Sequence, residues 1–140
     1  NVYIITNTEL KLPENNKINF ITVELMGRSE LAEFYRDKDI FLSLNGYDTF
    51  SISTAEAMAS GLIPVITTET GISRYIDNGV NGFTFDHHLR TDLLKILNEI
   101  LNMPLNKRVD ISNSAALSMK SLTWQNVYEM YDTVYNGMLK

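Results

Sequence analysis

Residues 48–61 read Asp48-Thr49-Phe50-Ser51-Ile52-Ser53-Thr54-Ala55-Glu56-Ala57-Met58-Ala59-Ser60-Gly61, and Ile63-Pro64-Val65-Ile66 follows after one residue. Before this stretch stands an apolar run from Asp39 to Leu44. The run predicts a buried strand, the polar residues a loop, and Ser51 to Ser60 a helix that Gly61 ends, since glycine is favoured just past a helix terminus. Strand, loop, helix and second strand in that order form one unit of a parallel α/β sheet. The loop of such a unit lies at the carboxyl edge of the sheet, where ligands of these folds bind.

The pattern extends outward in both directions. Strands are expected at residues 1–6, 18–23, 39–44, 62–68 and 82–85, all apolar and rich in β-branched or aromatic residues. Ser29 to Arg36 reads as a helix with a serine cap, and Ile72 to Asp77 as a short helical turn closed by Asn78-Gly79. Residues 7–17, which include Leu12-Pro13-Glu14-Asn15-Asn16, are short for a full crossover helix, so a hairpin and an abbreviated crossover both stay open there. From about His88 the chain is helical. Leu93, Leu94, Ile96, Leu97, Ile100 and Leu101 recur at helical spacing behind a Thr91-Asp92 cap. A second segment runs from Pro104 to about Lys120. Trp124, Val127, Tyr128, Tyr131, Val134 and Tyr135 then line one side of a last helix. The expectation is an α/β, Rossmann-like parallel sheet flanked by helices, with a helical C-terminal tail, in one domain over residues 1–140.

Composition narrows the partners. With 12 basic against 17 acidic residues the net charge is -5, which gives no general attraction to nucleic acid or anionic lipid. The absence of cysteine excludes disulfides, thiol catalysis and Cys-ligated zinc, and fits a cytoplasmic setting. No apolar run reaches the length of a membrane helix. The chain opens on Asn1 and enters Val2-Tyr3-Ile4-Ile5 at once. A domain rarely begins on a core strand, so a piece of a longer polypeptide is expected.

The loop and helix start can hold an anion. The N–H groups of Thr49, Phe50, Ser51 and Ile52 are expected to point out of the helix start, where the helix dipole favours a diphosphate. The hydroxyls of Thr49, Ser51 and Ser53 can add hydrogen bonds. Asp48 and Glu56 stand eight positions apart, roughly 12 Å if wholly helical, too far to share one atom or metal. They suit two separate groups of one extended ligand, since each carboxylate accepts paired hydrogen bonds from neighbouring sugar hydroxyls. Adjacent His87 and His88 are read as solvated turn residues, so no metal is expected. The Trp124 stripe is read as core and interface packing, and Lys107-Arg108 as a solvated face.

An acid, seven residues and then Glu-Ala-Met-Ala-Ser-Gly-x-x-Pro-Val-Ile resembles the signature of the group 1 retaining glycosyltransferases. Met26-Gly27-Arg28 with Glu30-Leu31 and Tyr35, Asp39-Ile40-Phe41, Gly79-Val80-Asn81-Gly82-Phe83 and Leu122-Thr123-Trp124 are similar to further stations of that family. The resemblance implies the C-terminal, donor-binding half of a two-domain GT-B enzyme. It implies a UDP- or GDP-activated sugar, no cofactor or required metal, and transfer with retention to a saccharide or lipid-linked acceptor. Polysaccharide assembly in the cytoplasm or at the inner membrane face is the implied setting. Asp48, the implied catalytic residue, would contact the donor sugar. Residues 49–52 would hold the diphosphate and Glu56 the ribose, with the base near Gly27, Arg28 and the helix after them. It also implies that a first strand–helix unit and the acceptor domain lie outside residues 1–140, so that the fragment alone transfers nothing.

Several positions depart from the family wording. Asp48 stands for the commoner glutamate, Thr49 and Ser51 for glycines, Leu44-Asn45 for Pro-Ser, Thr70 for a glycine and Arg74 for an acid. Two other functions fit the same residues. One is a non-catalytic donor-binding module that needs a partner chain. The other is a sugar-nucleotide epimerase of the same fold, which would act on donor without acceptor. A receiver-like signalling domain lacks its acidic cluster and lysine.

Overall fold

The computed structural model describes residues 1–12 and 17–138. The chain forms two compact units, Asn1–Glu33 and Phe34–Lys140. In the first, β1 (Val2–Ile5) pairs with β2 (Phe20–Val23) in parallel, with Val2 opposite Phe20 and Ile5 opposite Val23. A parallel pair cannot be closed by a hairpin, so of the two expected links that one is excluded; Pro13-Glu14-Asn15-Asn16 lie outside the described residues. Helix α1 (Arg28–Tyr35) begins in this unit. The expected serine cap is corrected: Ser29 is already the second helical residue, and it is the Glu30 carboxylate that accepts the Gly27 N–H at 2.9 Å.

The second unit is built on a parallel sheet ordered β3 (Ile40–Ser43), β4 (Ile63–Thr67), β5 (Phe83–Phe85). Strand β4 lies in the middle and is buried along its whole length. Its side chains divide between two faces, as the strand period of two requires. Ile63 and Val65 join Phe83, Phe85, Ile100 and Ile111 in one cluster, while Ile66 joins Met58, Ile72, Ala115 and Met119 in the other. Helices α3 (Arg90–Asn102) and α4 (Leu105–Ser118) supply the first face; α2 (Ile52–Ala59) and the end of α4 supply the second. A strand covered on both sides reads as the unbroken run Ile-Pro-Val-Ile rather than as an alternation.

Local chemistry sets the ends of these helices. Gly61 takes a φ of 86°, its N–H bonds to Met58 O at 2.9 Å, and Leu62 N–H bonds to Ala57 O at 3.0 Å. That pair of bonds satisfies the orphan carbonyls at the end of α2 and turns the chain into β4. The Thr91-Asp92 cap is corrected, since α3 starts earlier, at Arg90, with Leu89 as its uncapped N-terminal flank. The larger correction concerns α5 (Trp124–Met138): none of its residues is buried, and Trp124 is 86% exposed. Its aromatic stripe is therefore no part of this chain's core. Among the described residues no helix is long and apolar enough to cross a membrane.

Candidate functional site

The loop after β3 is held from two directions. Asp48 pairs with Thr70 in a parallel bridge beyond the regular strands. Gly71 N–H donates to Asp48 O and Ile72 N–H to Phe50 O, each at 3.0 Å. The loops that follow β3 and β4 thus continue the pairing of the strands that feed them. Gly71 makes this approach possible: a Cβ there would stand 2.0 Å from Thr49 O.

Inside the loop, Asp48 Oδ1 accepts the N–H of Phe50 at 3.2 Å and of Ser51 at 3.0 Å. Two of the four N–H groups expected to face a ligand are therefore taken by the protein's own carboxylate. Helix α2 begins at Ile52 rather than Ser51, and the Ser51 carbonyl accepts from Thr54 and Ala55. Ile52 and Ser53 then carry the first helical N–H groups, which have no carbonyl inside the helix to bond. Both residues are exposed, Ile52 at 64%. The open donor end of α2 thus lies one to two residues further on than the sequence reading placed it.

Ser51 holds the turn in an unusual conformation. Its φ of 71° and ψ of 73° are left-handed, a region that costs an L-residue roughly 1–2 kcal/mol. The resemblance sets glycine here, and the backbone explains that preference. The Ser51 hydroxyl is not available to a ligand: the residue is 3% exposed and its Oγ lies 2.8 Å from Thr54 Oγ1, which is itself buried. This Ser51–Thr54 pair was missed from sequence, where Thr54 looked like an ordinary helix residue. Thr49 and Ser53, by contrast, are exposed.

Glu56 is half-buried on α2, one turn in from the exposed N-terminus. Its charge reaches Tyr35, the buried residue that ends α1: burial, and secondarily Glu56, raise the Tyr35 hydroxyl above the ordinary tyrosine range. Gly27 and Arg28 lie in the first unit, at the start of α1.

His87 departs from its expected solvation. It is half-buried, with Nδ1 3.1 Å from Glu69 Oε2 and its ring 6.2 Å from that of Tyr47. Burial pulls the Glu69 carboxyl upward, but the Thr68 hydroxyl, the facing His87 ring and the local backbone favour the charged form, and the net direction is down. The pair was legible once register is known. Thr67 opposes Phe85 in the β4–β5 ladder, and Glu69 and His87 lie two residues beyond each.

The family model described as "Glycosyl transferases group 1" matches residues 8–117. The D-inositol 3-phosphate glycosyltransferase of Paenarthrobacter aurescens is 29% identical over 114 residues, which cover 79% of this chain and 28% of that protein. Among solved structures, the sucrose-phosphate synthase of Thermosynechococcus elongatus superposes with a TM-score of 0.74 at 16% identity, over 86% of this chain and 30% of that one. Anabaena HepE in complex with UDP-glucose superposes with a TM-score of 0.68 at 18% identity, over 84% and 32% of the two chains. The chain thus spans about a quarter to a third of the length of each of these proteins.

Proposed function

The chain belongs to the group 1 glycosyl transferases, and from that premise we propose that it is the donor-binding half of a glycosyltransferase that takes a nucleotide-activated sugar. The observation that carries the proposal is the exposed N-terminus of α2 beside the interlocked loops of Asp48 and Gly71, at the carboxyl edge of a parallel sheet. Helix dipole and orphan N–H groups favour a diphosphate at such a point. The Ile52 and Ser53 N–H groups are assigned to it, with the exposed Thr49 hydroxyl beside them. Phe50 and Ser51 contribute the turn that aims these donors.

Asp48 is assigned a double role. Its Oδ1 holds the turn, and its Oδ2 is the oxygen left to accept a hydroxyl of the transferred sugar. Glu56, one turn into the helix, is assigned the ribose hydroxyls. In the parent enzyme the reaction is retaining transfer from a UDP- or GDP-sugar to a saccharide or lipid-linked acceptor, held by a domain outside these residues. The chemistry asked of this half is positioning and charge stabilisation of the leaving diphosphate, usually the largest catalytic term. It needs no cofactor. The setting proposed is polysaccharide assembly in the cytoplasm or at the inner face of the membrane.

Calorimetric titration with UDP, GDP and their glucose and mannose conjugates tests this reading. Binding of one nucleotide, lost in Glu56→Ala with the fold intact, is the expected result. Equal binding by the wild type and the Glu56→Ala variant would sink the assignment of Glu56. Absence of binding in the full-length parent would sink the donor site altogether.

A further inference from the structure

The turn that follows β5 gathers groups that the donor site does not use. Asp86, His87 and His88 each present a ligand atom within 4.8 Å of the others. The turn is shaped by its own carboxylate, since Asp86 Oδ1 accepts the His88 N–H at 2.8 Å and folds the chain back over itself. The two imidazole rings lie 3.7 Å apart between centroids. From the neighbouring loop Glu69 brings Oε2 to 3.1 Å from His87 Nδ1. Both atoms are buried, and neither makes a hydrogen bond among the described residues; at this distance the two face each other as an ion pair.

We propose that Asp86, His87 and His88 bind a divalent cation of borderline softness, of the zinc or nickel class, with Glu69 as the carboxylate that orients His87. Imidazole nitrogens and a carboxylate oxygen are the donors such ions select, and the affinity they give without thiolates is moderate. A histidine that ligates a metal through one ring nitrogen normally gives its other N–H to a carboxylate, which fixes the tautomer and strengthens the ligand. Glu69 stands where that arrangement needs it. Facing Nδ1, it leaves Nε2 as the ligating atom. Water completes the coordination, because the turn lies at the surface and His88 is exposed.

The cation would tie the turn after β5 to the loop after β4. Glu69 directly precedes Thr70, whose backbone is bridged to Asp48. The ion thereby braces the loop pair without entering the transfer chemistry.

The test is isothermal titration of the full chain with zinc chloride and, separately, nickel chloride in a non-chelating buffer, alongside thermal unfolding. One ion per chain, with a rise in Tm, is expected. His87→Ala and His88→Ala should each weaken binding at least ~10-fold, and Glu69→Gln, which keeps the shape but removes the charge, by about 10-fold. Far-UV circular dichroism checks that the variants fold. Absence of binding overturns the proposal. So does binding unchanged in the His87→Ala, His88→Ala double variant, because the ion would then sit elsewhere.

Discussion

Asp48 and Ser51 are tied across a single turn: the Asp48 carboxylate accepts the Ser51 N–H at 3.0 Å while Ser51 is held at a φ of 71°. The carboxylate fixes the turn that leads into α2 without occupying the first N–H groups of the helix itself. It satisfies two backbone donors, Phe50 and Ser51, and places a negative charge beside the positive end of the helix dipole.

Asp48→Ala should therefore lower stability by about 1 kcal/mol even without ligand, because the turn loses the acceptor of its Phe50 and Ser51 N–H groups. Asp48→Asn keeps an acceptor oxygen and should lose less. Urea unfolding of the three proteins measures the difference. Equal stability of Asp48→Ala and wild type would mean that these two turn bonds contribute nothing.

Ser51 combines a strained backbone with a buried hydroxyl bond, so its substitutions should separate the two. Ser51→Ala keeps the left-handed conformation and strips Thr54 of its partner. Ser51→Gly loses the same bond but relieves the strain. The glycine variant should be more stable than the alanine variant by about 1 kcal/mol, read from their melting curves.

Gly71→Ala should be among the most damaging single-methyl changes in the chain. The new Cβ would meet the Thr49 carbonyl at 2.0 Å, and backbone cannot give way as a flexible side chain can. A loss of more than about 3 kcal/mol is expected, or failure to fold. A soluble variant of nearly wild-type stability would show that the two loops can part.

Tyr35 predicts an alkaline limb in the stability curve. Its hydroxyl is raised in the fold by burial first and by Glu56 second. The unfolded chain ionises this group near pH 10 while the fold retains the proton. Stability conferred below that pH is therefore lost as pH rises through the folded value. Tyr35→Phe should flatten the decline that sets in above the ordinary tyrosine value, near pH 10, in chemical unfolding series. An unchanged slope would acquit Tyr35.

The central strand β4 was legible because it is buried on both faces. Ile63-Pro64-Val65-Ile66 can be nothing but a central strand once Gly61 ends the helix before it. The five strands lie within the spans expected for them, and α2 within its own. Less legible was the start of each helix. Ser29 and Thr91-Asp92 have the composition of caps, but the chain was already helical at those positions, so their side chains cap nothing. At the candidate site the residues were visible and their partners were not. Whether an N–H of Phe50 faces a ligand or the Asp48 carboxylate depends on a turn that spacing does not encode. The Glu69–His87 contact needed the β4–β5 register, and nothing local announces it. The Trp124 stripe misled for the opposite reason. Its periodicity says that one face of a helix wants cover, but not that this chain provides it.

That last helix has a further consequence. A fifteen-residue helix of which no side chain is buried draws almost nothing from tertiary packing, and a helix of this length is marginal on its own in water. Residues 124–138 should therefore melt as a unit apart from the sheet. On heating, part of the helical ellipticity would fade gradually before the cooperative step, and backbone amides there would exchange with solvent far faster than those of β4.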